Sequence, residues 1–437
     1  MKKLIAMLLA LVMVVGLVAC GNKTEDPEAA IDAAAEGSVY WLNFKPETDE
    51  ALQKIAAMYT EETGVSVKVV TAASGTYNET LTAQMDKSDA PTLFVVGNAA
   101  AVESWGDYCL DLTDTEIAKE LNTDAYMLYD ADGKLCSIGY CYECYGIIVN
   151  NELLEKAGYE KGYITNFATL KEVAEDVHAR AAELGFDAFS AAGMDPSSSW
   201  RFTGHLINLE YYYESVDAPE KWAACPAELT GKYMDNYRAL YDLMVVNSAT
   251  PRADLANGGF DAAAEFANGE ALFYFNGNWE WSGLKDKGMK AESLSMLPYY
   301  CGVEGEEKAG LNCGTENYWA VNSEASKADQ EATLAFMKWL VTDPEASALA
   351  VESFGVMPYK NAAASTNPFL AQANAYLGDG CYNMWWATNY QPNVDAYRAT
   401  VVSALNAYNA DPTDANWATV VTAFVDGWAV QYQAANG

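Results

Sequence analysis

The chain has 437 residues, 51% of them hydrophobic, with 26 basic side chains against 61 acidic ones and a formal net charge of −35. That length suffices for two ordinary domains, and aromatics at 12% with charged residues at only 20% supply ample core material, which argues against a disordered chain. So large a charge deficit repels polyanions, and no cluster of Lys and Arg interrupts it, so nucleic acid is not expected as a partner.

Lys2 and Lys3 precede an apolar run over residues 4–18. About 15 apolar residues fall short of the roughly 20 that a helix needs to span a bilayer, so an export signal is the better reading than a retained anchor. Leu17-Val18-Ala19-Cys20-Gly21 resembles the bacterial lipobox, which implies a lipoprotein signal peptide over 1–19 and acylation of Cys20. Stable anchoring takes about two acyl chains. The polar, acidic, Ala-rich segment 20–37 then reads as a flexible tether holding a domain off a membrane.

Residues 39–43 form a short apolar strand. A helix follows over 47–64, with Leu52, Ile55, Ala56 and Tyr59 at helical spacing, and then a strand over 65–70, which completes one βαβ unit. A helix over 77–87 leads into a buried strand over 92–96, so the N-terminal portion is expected to be a parallel-sheet α/β lobe. Thr169 and Glu172 have capping-box spacing and predict a helix running to about Gly185. Asp343-Pro344-Glu345 marks another helix start, and the last ninety or so residues read mostly helical.

Apart from Cys20, cysteines stand at 109, 136, 141, 144, 225, 301, 313 and 381, an even number that permits disulfides without demanding them. Cys141-Tyr142-Glu143-Cys144 has Cys-x-x-Cys spacing, but no second pair follows and His178 and His205 are the only histidines. The run around it reads as a strand, in which positions 141 and 144 face opposite ways, so packed thiols are expected rather than a metal or redox centre. Neither metal nor cofactor is expected.

Gly133-Lys134-Leu135-Cys136-Ser137-Ile138-Gly139-Tyr140, continuing through Tyr145-Gly146-Ile147-Ile148-Val149-Asn150 to Leu153-Leu154-Glu155-Lys156-Ala157-Gly158, resembles the crossover segment of the bacterial extracellular solute-binding proteins that feed sugars to ABC importers. Further landmarks follow in order: Phe266 to Leu272, Asn276-Gly277-Asn278-Trp279-Glu280-Trp281, Leu297-Pro298, 314–321, Phe336-Met337-Lys338-Trp339-Leu340 and Gly355-Val356-Met357-Pro358. The maltodextrin-binding branch is closest in pattern, sharing the Trp41-x-Asn43 start and the Asn-Gly-x-Trp-x-Trp run. The chain departs from the family at Gly139-Tyr140-Cys141, where Pro is common, at Val149, where Tyr is usual, and over 197–213, which has no close counterpart in that branch. Ligand identity therefore does not transfer.

The resemblance implies an α/β, two-lobe periplasmic-binding-protein-like fold with a hinge between lobes and the ligand cleft at their interface. Lobe one is expected over 38–141 and 299–342, lobe two over 142–298 and 343–437. It further implies a membrane-anchored, extracytoplasmic, monomeric binding protein without catalytic activity, which closes on a carbohydrate, an oligosaccharide in the first instance, and delivers it to the permease subunits of an ABC importer. The rival readings are a polyamine- or peptide-binding protein and a secreted glycoside hydrolase. The latter needs two carboxylates set about 5 Å or 6.5–9.5 Å apart, which composition neither supplies nor excludes.

Sugar recognition calls for flat aromatic faces and planar polar groups. Trp279 matches the family position that stacks on sugar, with core packing as its alternative, and Trp281 is expected to face the opposite way if the run is extended. Glu143 aligns with the family's crossover acid, with a hinge salt bridge as the alternative. Asn43 and Lys45 stand where a parallel sheet presents its carboxyl ends to ligand, although turn chemistry explains them equally well. Tyr77 and Asn98 lie near strand ends on the same side. Arg201 is a bidentate donor or a surface ion pair, Glu316 and Asn317 precede the strand at the second lobe crossing, and Trp386 and Tyr390 belong with Trp385 to a cluster that is either a sugar platform or a packing anchor.

Overall fold

The computed structural model describes residues 37–436; the expected signal peptide, the expected acylation site Cys20 and the expected tether up to residue 36 lie outside the described residues. Its strands are β1 (Val39–Asn43), β2 (Val67–Thr71), β3 (Leu93–Val96), β4 (Met127–Tyr129), β5 (Leu135–Gly139), β6 (Glu143–Asn150), β7 (Asp187–Phe189), β8 (Ala271–Gly277), β9 (Leu294–Leu297), β10 (Ala309–Gly314), β11 (Tyr318–Val321) and β12 (Tyr382–Trp385). They make two sheets, ordered β2-β1-β3-β11-β5-β4 and β12-β10-β6-β8-β7, with β9 also pairing to β6. In the first sheet β1 runs parallel to β2 and β3, as expected of the N-terminal segment, while β11 returns antiparallel between β3 and β5.

The chain leaves the first sheet at Gly139 and enters the second at Glu143, then returns between Gly314 and Tyr318. A third strand-like contact runs beside the first crossing, where the Tyr142 N–H donates to Val356 O at 2.7 Å. Strand β6 is buried on both faces: Tyr145, Ile147 and Val149 face one core, Cys144 and Ile148 the other. Such a strand carries a continuous apolar run rather than an alternating one.

The lobe limits differ from those read in the sequence. Residues 299–301 pack in the core of the second lobe, and β10 belongs to its sheet, so the return crossing falls at 315–317 rather than at 298–299. At the other limit, Asp343 caps helix Pro344–Phe354 through the Glu345 and Ala346 N–H groups, and that helix stays with the first lobe. Its Ala346, Ala350, Val351 and Phe354 line the same core as Trp41, Trp319 and Phe336. Asp-Pro marks a helix start, but the apolar stripe decides which core the helix covers. Within the C-terminal segment, β12 interrupts the helices and pairs in parallel with β10.

Two local features also differ from those expected of the sequence. The helix expected to begin at Thr169 begins at Phe167: the Asn166 side chain accepts from Thr169 N, and Thr169 Oγ1 accepts from Asn166 N, which closes the box one turn earlier. Glu172 instead accepts from the Tyr163 hydroxyl at 2.9 Å. The helix then ends at Ala179 and a short turn, Ala181–Leu184, carries the chain to Gly185. Cys141 and Cys144 go to the cores of different lobes, because β6 starts only at Glu143.

Helix Asn208–Asp217 carries two buried acids one turn apart. The Glu214 carboxylate gathers the N–H groups of Thr230 at 2.8 Å and Gly231 at 2.6 Å, tying a loop to the helix. Burial first, and then Glu214 beside it, raise the Glu210 carboxyl well above the usual carboxylate range.

Two outcomes follow. Asn166→Ala lowers unfolding free energy by about 1 kcal/mol in urea titration, whereas Glu172→Ala changes it by under about 0.5 kcal/mol. Because the folded state holds a proton on Glu210 that the unfolded state releases, stability falls as pH rises from the ordinary carboxylate range through the raised value. Melting curves of Glu210→Gln between pH 5 and 7 show this component of the pH dependence removed.

Candidate functional site

At the carboxyl end of β1 the chain makes a tight turn that carries the buried Lys45 side chain to Glu143 at the start of β6. Asn43 builds that turn: its Nδ2 donates to Lys45 O at 2.7 Å and Thr71 Oγ1 at 3.1 Å, and its Oδ1 accepts from Lys45 N at 3.1 Å. Tyr77 and Asn98 are likewise engaged with backbone. The Tyr77 hydroxyl accepts from Val95 N at 2.7 Å and donates to Leu42 O at 3.3 Å, and Asn98 caps helix Ala99–Trp105 through Ala101 N at 2.8 Å.

Lys45 Nζ donates to Glu143 Oε1 at 2.8 Å and lies 3.2 Å from Glu47 Oε1. Asn317 Nδ2 donates to the second Glu143 oxygen at 3.0 Å, and Tyr140 OH donates to Asn317 Oδ1 at 3.2 Å. One hydrogen-bonded chain thus joins the exit of β1 to both crossings. Lys45 and Glu143 are only 5% and 2% exposed, so each is tolerable as an ion only because of the other. Burial pushes the Lys45 ammonium down, but the Glu143 and Glu47 carboxylates outweigh it and hold the group above the ordinary lysine range. Burial raises the Glu143 carboxyl, with Lys45 opposing.

Facing this chain, the second lobe presents aromatic rings. The Tyr145 and His205 rings stack at 4.1 Å, and His205 lies 5.4 Å from Trp279, 5.9 Å from Trp386 and 4.8 Å from Trp200. Trp279 sits in a 3-10 turn that follows β8, not in an extended run, and its ring folds back over Gly277, where a Cβ would lie 2.3 Å from it. The turn is fixed by Asn278, whose Oδ1 accepts from Cys144 N at 2.7 Å. Trp281 starts the next helix and packs on Phe369 in the outer core of the lobe. Lys45 Nζ reaches to 5.6 Å from the Trp279 ring centroid, so the two walls meet at this point. Trp386 is buried across Gly314, where a Cβ would lie 2.8 Å from the ring.

His205 and Arg201 come from one π-helical turn, Arg201–Leu206, in the segment without a family counterpart. The wider π turn is a recurrent feature of functional sites. Burial, then Arg398, Arg201 and Lys45, hold His205 neutral, well below the usual histidine range. The Arg201 guanidinium lies 4.3 Å over the Trp200 ring, and among the described residues its Nε finds no hydrogen-bond partner. Burial raises the Glu280 carboxyl, with the Arg201 charge opposing. Across the mouth, Asn78 Nδ2 donates to Asp395 Oδ2 at 3.0 Å, and near the hinge Asn389 Nδ2 donates to Thr315 O at 2.8 Å, so the lobes are in contact.

Of the residues expected at the site, Lys45, Glu143, Asn317, Trp279, Arg201 and Trp386 converge here, and Glu316 is partly exposed beside them on the return crossing. Asn43, Tyr77 and Asn98 shape the first wall from behind. Tyr390 lies apart, its ring against Trp222 and Trp385 and its carbonyl accepting from Cys225 Sγ. Tyr145, Trp200, His205, Glu47 and Glu280 were not singled out in the sequence. Only the departure of segment 197–213 from the family pattern flagged two of them.

Two lobes linked by crossing segments, with a polar chain on one wall and aromatic rings on the other, define a protein that encloses a small solute. The chain matches the family model for bacterial extracellular solute-binding proteins over residues 54–376 and belongs to that family. No curated protein matches it in sequence. Among solved structures it is similar to the raffinose-bound solute-binding protein RafE, at a TM-score of 0.69 and 16% identity, covering 90% of this chain and 99% of that one. It is similar to a chitin oligosaccharide binding protein, at 0.66 and 16%, over 91% and 99%. It is also similar to the GacH receptor of Streptomyces glaucescens, solved with acarbose, at 0.63 and 19%, over 91% and 98%. These likenesses establish the fold. Among the described residues no helix is long and apolar enough to cross a membrane.

Glu143→Gln leaves the buried Lys45 without its nearest carboxylate and lowers unfolding free energy by about 3 kcal/mol in guanidinium titration, while Lys45→Met with Glu143→Leu recovers most of that loss.

Proposed function

We propose that the protein is the substrate-binding lipoprotein of an ABC importer, anchored by acylated Cys20 on the extracytoplasmic face and specific for a carbohydrate, an oligosaccharide in the first instance. The observation that carries this reading is the aromatic wall of Trp279, Trp200, His205, Tyr145 and Trp386 set against the Lys45–Glu143–Asn317 chain. Ring faces suit the C–H surface of a pyranose, while carboxylates, amides and ammonium groups suit its hydroxyls. The solutes of the similar proteins, raffinose, chitin oligosaccharide and acarbose, support the same ligand class.

In this reading Trp279 stacks on the sugar, and Lys45, Glu143, Asn317 and Glu316 bond its hydroxyls from the first lobe and the crossings. Arg201 and Glu280 do so from the second lobe. The ligand touches both walls only when the lobes are closed, and that difference in contact shifts the population toward closure. The permease subunits read the closed form, and one monomer with one cleft is the working unit. No bond in the ligand is broken.

The test is a thermal-shift screen of the protein against mono-, di- and oligosaccharides, with amino acids, polyamines and divalent metals alongside. A saccharide at a hundredfold excess over its dissociation constant stabilises by about 2.7 kcal/mol and is recovered intact. Trp279→Ala then weakens calorimetric affinity for that saccharide by about tenfold or more, equivalent to 1.4 kcal/mol. A shift with polyamines alone contradicts the sugar assignment, and cleavage of the saccharide contradicts the binding role.

A further inference from the structure

Strands β6 and β10 run antiparallel at the point where both crossings meet the second lobe, and their register sets Cys144 directly opposite Cys313. Opposed residues in such a ladder alternate between pairs that exchange backbone hydrogen bonds and closer pairs that do not. The Cys144 N–H donates to Asn278 Oδ1 at 2.7 Å, on the β8 side, and the Cys313 carbonyl accepts from Asn383 Nδ2 at 3.4 Å, on the β12 side. Each residue therefore turns its backbone groups away from the other, which makes this the closer kind of pair, with Cα atoms about 4.5 Å apart and side chains adjacent. A disulfide takes Cα separations of about 4.4–6.8 Å, so the backbone needs no rearrangement. Both side chains face the same core, with Ile148 and Leu311, and both are free thiols in this structure.

We propose that Cys144 and Cys313 are a disulfide-forming pair that clasps the lobe-two ends of the two crossing segments. Either thiol can open the exchange, Cys313 for instance. Its thiolate attacks one sulfur of an external disulfide, protein or small-molecule, and expels the other as a thiol after protonation. Cys144 gives up its proton and attacks the Cys313 sulfur of the mixed disulfide, releasing the second external thiol. Two electrons pass to the external disulfide and the two protons end on its sulfurs. The exchange takes place during folding, before the surrounding core closes over the sulfurs. The clasp rests on the extracytoplasmic reading for its oxidant, but not for its geometry.

The experiment is a non-reducing proteolytic map of the full chain, exported and purified without reductant and alkylated in denaturant, run beside the same chain refolded with oxidised glutathione. The proposal expects the fragments holding Cys144 and Cys313 to be linked, two hydrogens lighter than their sum, and parted by reductant. It also expects reductant to lower the melting temperature of the wild type by about 5 °C and to leave Cys313→Ala unchanged, with Cys144→Ser as the second variant should the first not fold. A link found only after glutathione refolding upholds the pair and counts instead against an oxidising environment around the exported chain. Alkylation of both thiols in both samples overturns the proposal. So does a linkage confined to other cysteines, such as Cys109 with Cys136, or an equal reductant effect in the variants.

Discussion

The contact on which the arrangement of the two lobes depends is the buried ion pair of Lys45 and Glu143. It joins the exit of the first strand to the first residue of β6, and Asn317 extends it to the return crossing. Two charges so deep gain little net stability over an apolar pair of the same shape, because desolvation offsets most of their attraction. What the pair supplies is a fixed position: a cation and a carboxylate held where both crossings converge, with the ammonium turned toward the Trp279 ring. Breaking either side leaves a buried charge, so the turn at Asn43, the crossing at Tyr140 and the crossing at Asn317 hold one another in place.

The aromatic wall follows from different constraints. Trp279 and Trp386 lie flat only because Gly277 and Gly314 leave room for their rings, and these glycines end the two strands, β8 and β10, that flank β6. The π-helical turn brings Arg201 and His205 alongside. His205, stacked on Tyr145 and kept neutral by burial and neighbouring cations, presents a ring rather than a charge. The seam between the lobes is therefore polar and charged toward the crossings and aromatic toward the second lobe, the combination that suits a polyhydroxylated ring.

Much of this was legible in the sequence. The strand at 39–43, its βαβ neighbours, the crossover and the order of family landmarks follow from apolar periodicity and motif spacing, which are local. Lys45, Glu143, Asn317 and Trp279 could be named because strand ends and family positions mark them. Asn43, Tyr77 and Asn98 stand at the right end of the sheet, yet backbone groups engage them, and hydrogen-bond partners across the chain cannot be read from spacing. The capping box moved to Asn166 because an Asn three residues earlier is the stronger acceptor geometry at that turn. The lobe limits moved because Asp343-Pro344 breaks a helix without changing lobes. Tyr145 and His205 are invisible alone; each becomes a site residue only through the other, sixty positions apart in the chain.

Solute contact with both walls is what drives the lobes together in this protein. Small-angle X-ray scattering of the full chain, with and without a saturating saccharide chosen by thermal shift, measures this directly. A smaller radius of gyration is expected in the bound state, with the saccharide recovered intact. An unchanged scattering curve at full occupancy, or a cleaved saccharide, would contradict it.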